Sequence, residues 1–432
     1  MRAKRFSIVA ISTIALLLAA CGGSSGGTAA SSSGSSGAAA LTALPAPTKD
    51  AIKVGLLCDT SGATQLIGVN LCPGFVDYMD LVNKYLGGVD GHPIDVVEMD
   101  HGYEVPKAVA DYEQMKQQGV VAIFCYGTPI ALGLDAQIKA DKIPCVTPGF
   151  GIAQASDGAQ YPYQFPIAAS YYSQGAAAVD YALQHVGGKT KPKIAYLYYD
   201  NAAGKEPLPL LQKLADEGKL ELQTFAVPAP GLDMSAQVAD ITQRFDADFV
   251  ITHLFGRAPS VSIKALKEAG YPLDQVLALV WGGSEADIEA GGGMAAAEGY
   301  STLQFAGVGQ DYDVIDQIEQ MYEAEGKSLP DALTKNSVYY NRGVFTAGAM
   351  AEAIRNALKA GGTLTGDGVR AGLEQLSGFS LGGLAPPITI TAADHEGGGY
   401  TRVYQVKDGK LTPVTDWINP DHDLVSQLVK GG

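Results

Sequence analysis

The sequence predicts an α/β protein made of two doubly wound parallel-sheet lobes. Three observations carry that expectation. Short apolar runs of the buried-strand type alternate with helical stretches from Ile52 to Thr147. After a break, the same alternation restarts near Ser173 and continues to Trp281. The chain has 432 residues, 47% hydrophobic and 18% charged, enough for two ordinary domains with large cores and incompatible with whole-chain disorder.

Each element has its own justification. Ile52–Cys58 is a short apolar run closed by the turn cluster Asp59-Thr60-Ser61-Gly62, as in strands covered on both faces. Leu71, Phe75, Tyr78, Val82 and Leu86 then make one stripe at helical spacing, stopped by Gly87-Gly88. Pro93–Met99 reads as a second strand, Val105–Gln118 as a helix and Val120–Cys125 as a third strand. Pro129 suits the first turn of the next helix, and Ile143–Thr147 is a short fourth strand. The second unit opens with a helix over Ser173–His185. Strands at Lys193–Tyr199, Leu220–Ala226, Asp248–His253 and Val276–Trp281 follow, separated by helices at Pro207–Glu217, Ser235–Phe245 and Ser260–Ala269. From about Gly299 the pattern is mixed, with helices at Tyr312–Glu325, Ser337–Ala360 and Gly366–Leu376. Tyr400–Val406 and Leu411–Val414 close it, joined by the hairpin signal Asp408-Gly409. Parallel sheets place ligands outside the carboxyl ends of their strands, so two sheets with those ends facing enclose a cleft.

The N-terminus addresses the compartment. Arg2, Lys4 and Arg5 precede an apolar stretch, Phe6–Ala20, that is short for a bilayer span, so residues 1–20 read as a secretory signal. Leu18-Ala19-Ala20-Cys21-Gly22 resembles a bacterial lipobox, in which cleavage precedes the cysteine and its thiol carries the lipid. Residues 21–48 are then a lipidated Cys21 and a Ser/Gly/Ala tether spanning roughly 30 Å. The expectation is an exported body, lipid-anchored to the bacterial cell membrane and facing the periplasm or the exterior. Thirty basic against 46 acidic residues, a net of −16, exclude a nucleic-acid partner.

Chemistry-bearing motifs find no scaffold. Gly378-Phe379-Ser380-Leu381-Gly382 matches a nucleophile elbow, but a helix precedes it and Pro386-Pro387 follow, where a strand and a helix are required. Asp394-His395-Glu396 and Asp421-His422-Asp423 read as solvated loops, because the six histidines show no metal-ligand spacing. No phosphate-binding glycine motif is present. Catalysis, a cofactor and a metal are therefore not expected. Of the four cysteines beyond Cys21, Cys58 ends the first strand and Cys72 lies in the helix beside it, which favours a Cys58–Cys72 disulfide. Cys125 and Cys145, on neighbouring buried strands, are equally compatible with free thiols.

In order and spacing, several segments resemble the type I periplasmic binding proteins of the branched-chain amino-acid family, from about Ala51 to the C-terminus. Gly55–Gly62 looks like that family's first strand and ligand loop, and Asn83-Lys-Tyr-Leu-Gly-Gly-Val-Asp-Gly91 like its first helix end. Tyr126-Gly127-Thr128, Ile143-Pro144 and Gly149-Phe150-Gly151 fall where its next ligand loops belong. Pro166–Gly175 looks like its first crossover, and Gly383 and Asp394-His395 like its closing segment. The resemblance implies a clamshell joined by a multi-strand hinge: lobe 1 over 49–168, lobe 2 over 169–300, a return to lobe 1 over 301–390, and a segment, 391–432, shared by the hinge and lobe 2. It also implies a monomer that captures a small solute by hinge closure and delivers it to the permease of an ABC importer.

Carried over residue by residue, Ser61 and Thr64 belong to the first loop. Tyr126, Gly127 and Thr128 stand at a helix N-terminus that receives a ligand carboxylate, and Phe150 follows. Tyr171, Ala203, Phe255 and Trp281 come from the second lobe. Tyrosine replaces the acid that amino-acid binders place near position 171, so Glu285 is expected to face the ligand's amine, and Arg257 a carboxylate. Rings at 150, 171, 255 and 281 favour an apolar or aromatic carboxylate over a plain branched-chain amino acid. A ligand-sensing module for a membrane signalling receptor is the alternative use of such a clamshell.

Overall fold

The computed structural model describes residues 41–361 and 363–431; the expected signal, Cys21 and most of the tether lie outside the described residues. β1 (Ile52–Cys58), α1 (Gln65–Tyr85), β2 (Ile94–Asp100), α2 (Val105–Gln117), β3 (Ile123–Cys125), α3 (Thr128–Asp141), β4 (Cys145–Val146) and β5 (Gln164–Phe165) build the first lobe. Its five strands are parallel in the order β2-β1-β3-β4-β5. The second lobe follows with α4 (Tyr171–Val186), β6 (Lys193–Tyr199), α5 (Ala202–Lys205), α6 (Leu208–Asp216), β7 (Glu221–Val227), α7 (Ser235–Ala239), β8 (Phe249–His253), α8 (Ala258–Glu268), β9 (Val276–Ala278), α9 (Glu285–Ala290) and β10 (Ser301–Gln304). Its parallel strands run β7-β6-β8-β9-β10, the same winding repeated. Each lobe thus has a topological switch point beside its first strand, where doubly wound sheets hold ligands.

The chain then returns. α10 (Asp313–Ala324), α11 (Asp331–Lys335), α12 (Ser337–Ala360) and α13 (Gly366–Leu373) cover the first lobe, with α12 packed along α1. β11 (Arg402–Lys407) and β12 (Lys410–Pro413) extend the second sheet antiparallel, and α14 (His422–Gly431) lies against α4 and α6. Asp408 and Gly409 both take positive φ (51° and 73°), as a two-residue hairpin requires. β10 pairs with β9 and β11, so the second lobe's sheet extends past residue 300 before the chain turns back.

One segment departs from the expectation. The Asp394-His395-Glu396 segment is not solvated. His395 is fully buried, stacks 3.9 Å from the Phe165 ring and pairs through Nδ1 with the Gln164 carbonyl at 2.8 Å. Glu396 is buried too and accepts hydrogen bonds from the Ser170 N–H and the Ser156 hydroxyl, so the last crossing is fastened to the first. Burial pushes its carboxyl up to about 7. Asp421, His422 and Asp423 are exposed, as expected, although they open α14, where Asp421 accepts the Leu424 N–H at 3.0 Å. The cysteines form two bonds, Cys58–Cys72 from β1 to α1 and Cys125–Cys145 from β3 to β4, which resolves the alternative left open for the second pair.

α1 and α12 meet backbone to backbone. A Cβ at Gly343 would lie 2.0 Å from the Leu71 carbonyl oxygen, and one at Gly74 would lie 2.2 Å from that of Tyr340. No side chain fits between them without separating the helices. Gly343→Val is therefore predicted to destabilise the fold by about 3 kcal/mol. An unchanged denaturant midpoint would show that the helices part without cost.

Candidate functional site

Site geometry starts at the carboxyl end of β1. Buried Asp59 accepts the Gly62 N–H (2.6 Å), the Thr64 N–H (2.8 Å) and the Thr64 hydroxyl (2.6 Å), which fixes the first loop. Beyond β3, Gly127 adopts φ 106°, and a Cβ there would fall 2.7 Å from the Tyr103 ring. Only glycine lets the chain pass this ring into α3. Thr128, the first residue of α3, accepts the Gly151 N–H at 3.3 Å and so ties the loops after β3 and β4 together. From the second lobe, Trp281 lies on the loop just past β9, not inside the strand as read from sequence. Its indole N–H donates to the Gly149 carbonyl at 3.0 Å, a direct bond between the lobes.

These loops bring Thr64, Tyr126, Gly127, Thr128, Phe150, Tyr171, Phe255 and Trp281 together with Ile67 and Tyr103 around a cavity of about 20 Å³. The rings largely fill it. Phe150 meets Trp281 edge-on at 5.4 Å and Tyr126 at 5.8 Å between ring centres. Such a volume holds a water molecule and no solute. Beside it, sharing Thr64, Tyr103 and Phe255, lies an interlobe groove of about 900 Å³, within the range of ligand sites. Arg257 is exposed on the wall of this groove.

No charged side chain lines the inner cavity. Two buried histidines stand behind it, and burial holds both neutral: His101 is lowered to about 4 and His253 to about 3. His101 Nδ1 accepts the Tyr103 N–H at 2.9 Å, and the His253 ring lies 4.4 Å from that of Tyr171. Arg342, fully buried, places its guanidinium 4.6 Å from the Trp281 ring, 4.8 Å from Phe305 and 5.6 Å from Tyr339, and donates to the Gln304 side chain. The cavity wall formed by Trp281 is thus backed by a cation.

Other expected residues stand elsewhere. Glu285 does not face the cleft. Its carboxylate accepts the Ser337 hydroxyl and the Val338 N–H at the first turn of α12, where free amide groups and the helix dipole favour a negative charge. Ala203 is buried on α5 and lines neither space; Tyr199, at the end of β6, supplies the ring on the groove instead, 4.8 Å from Phe255. Ser61 sits exposed at the lip and donates to Asp100. Ser380 lines a separate depression with Glu352 and Asn356, in a loop where Phe379 bridges to Ile388. Sequence reasoning passed over Tyr103 and Tyr199. Tyr199 is the last residue of β6 and Tyr103 lies three residues past β2, so both stand at carboxyl ends of parallel strands, and the loop of His101-Gly102-Tyr103 after β2 was the available signal.

A bond to a buried carboxylate also joins the lobes. Glu206, between α5 and α6, accepts the Ala153 N–H from the first lobe, and withdrawal from water pushes its carboxyl up to about 8 from an ordinary 4.5. An opening that returned Glu206 to water would bring its carboxyl back toward the ordinary value. Closure is then favoured fully below the ordinary value and loses that advantage as pH rises through the raised one. Binding that requires closure is predicted to weaken between roughly pH 5 and pH 8, and Glu206→Gln to flatten the profile. A wild-type affinity constant over that window, measured by calorimetry, would refute this.

The model for the periplasmic binding protein family matches residues 51–410. Among solved structures, the chain is similar to an ABC transporter permease from the Pseudomonas fluorescens group, at 33% identity and a TM-score of 0.81, covering 88% of this chain and 95% of that one. It shares its fold with a branched-chain amino acid ABC transporter protein from Thermus thermophilus with bound valine (21%, TM-score 0.76, 89% and 99% covered). It does so also with a fatty acid ABC transporter substrate-binding protein from Thermomonospora curvata (20%, TM-score 0.74, 89% and 96% covered). No curated protein matches it.

Proposed function

The chain belongs to the periplasmic binding protein family, and from that footing we propose that it captures a small solute between its lobes and delivers it to the permease of an ABC importer. One observation carries this reading: loops from the carboxyl ends of two like-wound sheets converge on one interlobe site. Three chain crossings, after β5, after β10 and before β11, join the lobes in a way suited to hinge motion.

The solute we favour is an apolar or aromatic carboxylate. A plain branched-chain amino acid needs an acid for its amine, and Glu285 is engaged at α12 instead. The groove that has room for a solute is largely apolar, with the rings of Tyr103, Tyr199 and Phe255 on its wall. In this reading the chain works as a monomer, without cofactor, metal or catalysis. A signal over 1–20, a lipidated Cys21 and the tether after it would hold the folded body at the outer face of the membrane. Among the described residues no helix is long and apolar enough to cross a membrane.

A thermal-shift screen of amino acids, aromatic acids and their amides tests the proposal. A bound solute at about 100 times its Kd adds about 2.7 kcal/mol of stability. Trp281→Ala, which removes both a cavity wall and an interlobe hydrogen bond, is expected to weaken that solute at least tenfold. An unchanged Kd would remove Trp281 from the site.

A further inference from the structure

We propose that the interlobe groove receives the bulk of the ligand, and that the ligand is an amphipathic carboxylate whose extended alkyl body lies along the groove and whose charge meets Arg257. This rests on the interlobe-capture reading above and specifies the solute class.

Volume decides where the ligand goes. The ring-lined cavity offers about 20 Å³, and the groove that opens from it about 900 Å³. The groove is apolar on both sides: Ala63, Leu66 and Val69 come from the first lobe, and Pro230, Leu232 and Val261 from the second. Val69 is 45% exposed and Leu232 56%, two of only five large hydrophobic side chains left exposed among the described residues. A single exposed apolar side chain is ordinary, but one from each lobe lining the same groove is a surface waiting to be covered. The groove also borders the inner site through Thr64, Tyr103 and Phe255, so its occupant belongs to the same cleft.

Charge points to the same class. Arg257 is the only charged side chain lining the groove, and among the described residues no carboxylate forms an ion pair with it. Of the groove's other polar groups, Asn201 is occupied by the Gly204 N–H, and the Ser260 hydroxyl donates to the Arg257 carbonyl. On a chain with net charge −16, an unpaired guanidinium at the edge of an apolar groove fits an anionic head with an apolar body.

Calorimetry on the full-length chain with butanoate, hexanoate, octanoate and decanoate, and with the matching primary alcohols, tests this. Each added methylene should tighten Kd by about fourfold until the groove is filled, and each acid should bind at least tenfold tighter than its alcohol. Leu232→Asn should flatten the chain-length dependence, and Arg257→Gln should bring the acids to the level of the alcohols. Both residues are exposed, and unchanged melting temperatures of the free variants will confirm that they fold. Affinity independent of chain length, or acids indifferent to Arg257→Gln, would overturn the assignment. If leucine or phenylacetate binds and responds to Trp281→Ala but to neither groove variant, solute capture stands and the groove assignment falls. If no alkanoate, amino acid or aromatic acid binds, both fall.

Discussion

A parallel strand must give its chain back at its carboxyl end, and a right-handed crossover returns it to the amino end by way of a helix. All connections of that kind therefore gather on one edge of a sheet, along with the free amide groups of the helices that follow. In this protein the constraint operates twice, with the same strand order in both lobes. The loops after β1, β3 and β4 then face those after β6, β8 and β9, and the cleft residues are the ones those turns expose. Asp59 holding Thr64, and Gly127 giving way to Tyr103, show how little freedom remains once the strands are set.

The lobes are joined by bonds that remove polar groups from water. Trp281 donates to Gly149 and Glu206 accepts from Ala153 across the cleft, while Glu396 fastens the last crossing to Ser170. Two of these involve carboxylates whose burial opposes ionisation. Their cost is tolerable only while the N–H partners are in place, so the placement of one lobe against the other depends on contacts between distant segments. Arg342 follows the same logic in the opposite sign: three aromatic rings and one amide replace its water.

The two spaces of the cleft divide the chemistry. The inner one is lined by the protein's own rings, which leave room for about one water molecule, with neutral histidines behind them. The outer one is large, apolar on both walls and bordered by a single cation. Affinity for a solute in such a place comes mainly from apolar area withdrawn from water, with the charge setting orientation. A zwitterion finds no acid lining either space for its amine.

The family resemblance reached Thr64, Tyr126, Thr128, Phe150, Tyr171, Phe255 and Trp281, whereas the sequence by itself determined the winding of both lobes, the helix stripes and the turn clusters between them. Those features depend on periodicity and on turn residues within a few positions of one another. Only the tertiary structure decided the employment of the ionisable groups. Glu285 serves α12, 52 residues away, and Glu396 meets Ser170 across 226 residues of chain. Neither spacing nor composition can show such partners, because a hydrogen bond is made by proximity in space. The sizes of the cavity and the groove were decided there too, since they depend on how closely rings from separate loops pack.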